Sequence, residues 1–155
     1  MINSIDFWSR RKAENFKFSD NHIVISITDP GQSPPAIFTP LNILRIEFFD
    51  VKDDIESLKD AEGMFNEEHA NSIISFLNQY KNSLNLVDLI VHCEAGICRS
   101  ASIALFAYYY TKAPFNTISK ATCTNDYVMG MLSDIAKVDI SIAKHASNKD
   151  GLLLH

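Results

Sequence analysis

The most constraining stretch of this chain is a strand-like run that leads almost at once into a helix-like run. Leu86-Val87-Asp88-Leu89-Ile90-Val91 is apolar except for Asp88, and residues 99–112, after a gap of seven residues, are apolar almost all round a helix. A strand with two apolar faces must be covered on both. A helix with almost no polar face must lie inside the molecule. A layered fold, with a sheet carrying helices on each face, satisfies both demands. Pro114 then stops the helix, since a proline inside it would clash and remove a donor.

The remaining pattern agrees. Ile23-Val24-Ile25-Ser26-Ile27 is short and β-branched, and Asp29-Pro30-Gly31 closes it as a turn. Residues 32–40 carry Pro34, Pro35 and Pro40 and form a loop, with room for an edge strand at Ile37-Phe38. Leu44, Ile46 and Phe48 alternate with Arg45 and Glu47, which predicts a strand over 43–49 with one buried face. Residues 50–63 are charged and aperiodic. Asn66 is a good N-cap, with Glu67 and Glu68 at the positive end of the helix dipole and Ala70, Ile73, Ile74 and Leu77 at helical spacing. A short helix is expected over 115–122. Asn125 caps a last helix whose stripe is Val128, Met131, Leu132, Ile135, Val138 and Ile142. Strands and helices alternate without repeats or an internal linker. The expectation is a single α/β domain over residues 1–155. It is a three-layer sandwich with a twisted, mostly parallel sheet of about four to five strands and helices on both faces.

At 155 residues and 46% hydrophobic content, the chain can bury one proper core. Its 14 Lys and Arg against 19 Asp and Glu leave a formal charge of −5. That argues against a general nucleic-acid or membrane-surface binder, which needs a cationic face. The acidity is local: residues 50–68 hold eight carboxylates and two lysines. Three cysteines, Cys93, Cys98 and Cys123, are too few for a disulfide framework and suit a reducing compartment with free thiols. No apolar run follows Arg10-Arg11-Lys12, so no signal peptide is expected. Residues 103–110 are too short to span a bilayer. A cytoplasmic protein is the expectation. His22, His69, His145 and His155 show no metal-ligand spacing.

The chemistry is concentrated in Val91-His92-Cys93-Glu94-Ala95-Gly96-Ile97-Cys98-Arg99-Ser100, where the buried strand ends and the buried helix begins. Five residues between Cys93 and Arg99 can curl so that successive N–H groups point inward as an anion-binding nest. Gly96 permits the angles such a curl demands. The helix beginning near Ser100 adds its positive end to the same point. Arg99 can grip two oxygens of a phosphate. A cysteine in such surroundings ionises more readily, and a thiolate beneath a phosphate cradle is an activated nucleophile.

With His92-Cys93, the five-residue spacing, Arg99 and Ser100, the chain resembles the protein tyrosine phosphatase superfamily. Its size and the place of the motif resemble the dual-specificity branch. The strand around Val24-Ile25-Ser26-Ile27, the one from Arg45 to Asp50 and the helix from Asn66 extend the resemblance more weakly. It implies a phosphomonoester hydrolase acting on phosphotyrosine, with phosphoserine and phosphothreonine in proteins left open. The implied roles are Cys93 as nucleophile, Arg99 as phosphoryl clamp and an aspartate as general acid. Asp50 is the choice for that acid, with Asp53 and Asp54 as rivals. Glu94, Ala95, Gly96, Ile97, Cys98 and Arg99 would bind phosphate, His92 would orient the loop, and Ser100 would assist the departing thiolate. Inorganic phosphate, sulfate or vanadate would occupy the same loop, and no metal or cofactor is required. A membrane or nucleic-acid partner is not expected.

The spacing disfavours rhodanese-like relatives, whose loop is one residue shorter, and the place of the loop in the chain disfavours low-molecular-weight phosphatases, which carry it at the extreme N-terminus. Phosphoinositide phosphatases usually carry lysines where this loop has Glu94, Ala95 and Ile97. Two other functions stay open: a phosphatase for small-molecule or RNA 5′ phosphates, and a phospho-binding module without turnover. Glu94, beside the nucleophile, is the one feature that would weaken anion binding. Cys98 is either a small buried residue or, as in low-molecular-weight phosphatases, a disulfide partner for Cys93. Cys123 and Tyr108-Tyr109-Tyr110 are expected in the core. Arg10-Arg11-Lys12 is a solvated face, with substrate reading as the alternative.

Overall fold

The computed structural model describes residues 1–37, 42–51 and 61–140. The expectations for Phe38, Asp53, Asp54, Ile142, His145 and His155 fall outside those residues.

Four strands run parallel in one sheet, in the order β1-β4-β2-β3. They are β1 (Ile2–Ser9), β2 (His22–Thr28), β3 (Asn42–Glu47) and β4 (Val87–Cys93). Helices α1 (Arg10–Asn15), α2 (Glu67–Lys81), α3 (Arg99–Thr111) and α4 (Asp126–Ala136) cover it on both faces. The period-2 alternation of strand side chains divides the core. Ile23, Ile25 and Ile27 of β2 join Leu89 and Val91 of β4 in the large compartment, packed with α2, α3 and α4. Val24 and Ile90 point the other way and meet Trp8, Ala13 of α1 and Phe18. This is the two-sided cover that the apolar sequence of β4 demands. Every residue of α3 from Arg99 to Ala107 is buried.

Several boundaries differ from expectation, each for a local reason. β1 was not expected, because Ile2 and Ile5 share the large compartment three positions apart, which breaks the strand period. An irregularity in the register between Ile2 and Ser4 restores the pairing to β4. The solvated Arg10-Arg11-Lys12 segment forms a short helix, started by Ser9, whose Oγ accepts the Lys12 N–H at 3.1 Å. Instead of a helix over 115–122 there is a single 3₁₀ turn, Ile118–Lys120. The last helix stops at Ala136, where Lys137 takes the left-handed conformation with φ 56°. Ile37 lies outside any strand. The caps are as expected: Asn66 and Asn125 each accept the N–H three residues on, from His69 and Val128, at 3.1 Å.

An all-parallel sheet brings the carboxyl ends of all its strands to one edge, which is where open α/β sheets bind ligands. Ser9, Thr28, Glu47 and Cys93 end the four strands there.

Candidate active site

Cys93 is the last residue of β4, is 2% exposed and is the free cysteine among the described residues. Its Sγ accepts the Gly96 N–H at 3.2 Å and lies 3.1 Å from Ser100 Oγ. The loop over 94–98 therefore folds back over the sulfur, and α3 starts immediately beyond it. Contacts of this kind stabilise negative charge on sulfur. Gly96 is required here twice. Its φ is +69°, and a Cβ at this position would run into the backbone of Trp8 and Ser9. The turn is thus seated on the end of β1, where the Arg10 N–H also donates to the Glu94 carbonyl at 3.2 Å.

Arg99 is 6% exposed, and its Nη1 donates to Asp29 Oδ1 and to the Phe48 carbonyl, both at 2.7 Å. The guanidinium stands 5.9 Å from the Phe48 ring centre. Pinned this way, Arg99 keeps Nε buried with no hydrogen-bond partner among the described residues. A buried donor without a partner is costly, and Nε with Nη2 forms the side-on fork that matches two oxyanion oxygens. The arrangement can receive an oxyanion between the loop and this fork. Asp29 was read only as part of a turn. The available signal was its place just past the carboxyl end of a buried parallel strand.

His92 is fully buried, and its Nε2 lies 2.7 Å from Ser26 Oγ, while Nδ1 lies 3.5 Å from the Cys93 carbonyl. Only a ring N–H can donate to that carbonyl, so Nε2 is the acceptor of the Ser26 hydroxyl. Burial pushes His92 below the ordinary histidine value, only partly offset by the Cys93 carbonyl. A neutral, doubly held ring is a fixture beneath the loop. Glu94, feared as a competitor for anions, is turned aside. Its Oε2 accepts from Gln32 Nε2 at 3.1 Å and lies 3.8 Å from Arg10 Nη1.

Asp50 is exposed, and its Oδ1 accepts a hydrogen bond from Asn125 Nδ2 at 3.2 Å; the same amide donates to the Val51 carbonyl at 3.0 Å. Asn125, expected only as a helix cap, therefore holds this segment as well. Its rivals Asp53 and Asp54 lie outside the described residues.

The cysteine expectations need correction. Cys98 pairs with Cys123 in a disulfide, with Cα atoms 4.9 Å apart. Cys98 is thus neither a plain buried thiol nor the partner of Cys93, and Cys123 is a cross-link rather than simple core. The reason is geometric: the segment before α4 packs beside the start of α3, while Cys93 Sγ is directed to Gly96 and Ser100. The thiols are not all free, so the cysteine count no longer argues for a reducing compartment. Among the described residues, no helix is long and apolar enough to cross a membrane, and no group of three His, Cys, Asp or Glu is placed to hold a metal.

No known protein family and no curated protein matches the chain by sequence. Its structure is similar to that of human DUSP28, crystallised as a point variant, with a TM-score of 0.40 and 16% identity, covering 84% of this chain and 75% of that one. The likeness is one of overall fold.

Proposed function

We propose that this chain is a cysteine-dependent phosphatase that hydrolyses phosphomonoesters through a cysteinyl-phosphate. The observation that carries the reading is Arg99: Nη1 is pinned by Asp29 and the Phe48 carbonyl, and Nε is buried and unpartnered among the described residues. The sulfur of Cys93, held by Gly96 and beside Ser100, supports it.

In the first step Cys93 Sγ attacks phosphorus and the bond to the ester oxygen breaks. Asp50 gives that oxygen its proton. In the second, Asp50 takes a proton from water, the water oxygen bonds to phosphorus, and the S–P bond breaks to release inorganic phosphate. The Ser100 hydroxyl then stabilises the returning thiolate. Loop N–H groups and Arg99 hold the charge on the phosphoryl oxygens throughout. A protein phosphotyrosine is the proposed substrate, with phosphoserine and phosphothreonine as further candidates.

The test is hydrolysis of an aryl phosphate. Wild type should turn over with sensitivity to vanadate, and Cys93→Ser should abolish turnover. Asp50→Asn should slow it by roughly 10²–10⁴. A normal rate in Asp50→Asn with a large fall in Asp53→Asn would transfer the acid role to Asp53. Vanadate binding without any turnover in wild type would make the chain a phospho-binding module instead.

A further inference from the structure

Two cysteines that take no part in the proposed displacement steps sit at the join between the loop over Cys93 and the general acid. Cys98 ends the loop, caps the N-terminus of α3 and directly precedes Arg99. Its partner Cys123 lies two residues before Asn125, in a stretch over 121–125 without regular secondary structure. Asn125 is fully buried. Its amide donates to Asp50 Oδ1 at 3.2 Å and to the Val51 carbonyl at 3.0 Å, while its Oδ1 accepts from Val128 N at 3.1 Å. The disulfide therefore ties the anion-holding loop to the residue that holds Asp50.

The two ends of this connection differ in what else secures them. The loop has fastenings of its own. Cys93 Sγ accepts from Gly96 N, Arg99 is pinned by Asp29 and the Phe48 carbonyl, and Gly96 is seated on the end of β1. Asp50 is exposed and rests on the Asn125 amide. Asn125 in turn is tied to the start of α3 by the disulfide and by a neutral hydrogen bond from its N–H to Ser102 Oγ at 2.7 Å. Net of its exchange with water, such a hydrogen bond is worth much less than covalent closure of a 25-residue loop. Opening the disulfide thus loosens the acid and spares the cradle.

The bond is open to exchange from one side. Cys98 is 7% exposed, whereas Cys123 is only partly buried. A thiolate of a dithiol reductant attacks Cys123 Sγ, and the bond to Cys98 breaks. Cys98 leaves as a thiolate at the N-terminus of a 13-residue helix, where the dipole favours negative charge and the exchange is faster for it. The reductant's second thiol then displaces Cys123 Sγ. The dithiol ends as a disulfide, and Cys98 and Cys123 each end as a thiol, two electrons and two protons having passed to them.

We infer that the Cys98–Cys123 disulfide is a redox switch that positions Asp50. Closed, it presents the acid to the leaving oxygen; opened, it leaves anion binding intact and withdraws the proton donor. The inference rests on the proposed reaction, and the choice of leaving group separates the two. Phenyl phosphate needs a proton for its departing oxygen, whereas dinitrophenyl phosphate does not. Alkylation of the denatured chain and intact mass should count one free thiol before dithiol treatment and three after it. Reduction should lower kcat/KM about tenfold for phenyl phosphate but less than about twofold for dinitrophenyl phosphate, a fraction of the roughly 10²–10⁴ that loss of the acid costs. Vanadate affinity should not change. Oxidised Asp50→Asn should show the same selective loss, larger, with no further change on reduction. Cys123→Ser should match reduced wild type and ignore the reductant. The switch is overturned, and the reaction left standing, by three free thiols before treatment or by an equal fall for both substrates. The same holds if reduction changes nothing while Asp50→Asn keeps its selective loss. No selective loss in Asp50→Asn moves the acid role elsewhere and takes the switch with it, and no turnover of either substrate overturns both readings.

Discussion

The loop over Cys93 has two unlike flanks. On the side of β2 and β3 stand carboxylates: Asp29 grips Arg99, and Asp50 is held by Asn125. On the side of β1 stand Trp8, Lys12 over its ring and Lys120, neither lysine in an ion pair among the described residues, with Gly96 pressed against the strand end. The flanks also differ in how they are fastened. The first is braced by a covalent link, because Cys98 at the end of the loop is joined to Cys123, two residues before Asn125. A hydrogen-bond strut runs beside it: Asn125 N donates to Ser102 Oγ, which donates to the Cys98 carbonyl, each at 2.7 Å. The second is held by close backbone approach and the Arg10 to Glu94 hydrogen bond. The contrast separates two tasks. One flank orients the groups proposed to do chemistry, and the other seats the loop on the end of β1.

Breaking the covalent brace is the strongest challenge to this contrast. Closing a loop of 25 residues should contribute about 2–4 kcal/mol to stability. Cys123→Ser should lower the denaturation midpoint accordingly, and a dithiol reductant should do the same to wild type but not to the variant. A wild-type melt indifferent to reductant would remove the brace from the account. Next in size is Asp29→Asn. A hydrogen bond to a charged group is worth about 1.5–3 kcal/mol, and Asp29 is half exposed, so the low end applies. A fall in kcat/KM of about tenfold is expected, with the fold intact by circular dichroism. An unchanged value would mean that the Phe48 carbonyl alone positions Arg99.

The smallest effect concerns pH. His92 is held neutral by burial, while in the unfolded chain it takes a proton near pH 6.5. The unfolded state therefore binds more protons as the pH falls below about 6.5, and stability is lost in that direction. Above that value the contribution is complete. Thermal melts between about pH 7.5 and 5 should show a shallower decline for His92→Asn than for wild type. The slope should not vanish, because burial also lowers His69. Equal slopes would show that His92 gains its proton without disturbing the loop.

Much of the fold was legible because it follows from local periodicity. β4, the helix after it, and the caps at Asn66 and Asn125 depend on residues within a few positions of one another. The loop was legible for the same reason, since Cys93, Gly96, Arg99 and Ser100 lie on eight consecutive residues. β1 was not, because a register irregularity scrambles its period and its burial depends on β4, more than 80 residues away. The side-chain partners of Glu94, Gln32 and Arg10, were not legible because they are remote in sequence.

By itself, then, the sequence determined a layered α/β fold and a tight glycine-bearing turn between a buried strand and a buried helix. Apolar patterning and glycine's backbone freedom act over short range. Only the tertiary structure decided what surrounds that turn: Asp29 on Arg99, Asn125 on Asp50, Cys123 on Cys98, and Lys12 with Lys120 across a pocket. Each of these pairs is separated by 25 to 108 residues. Their meeting depends on which strands pair and how the helices cross the sheet, which no short-range pattern encodes.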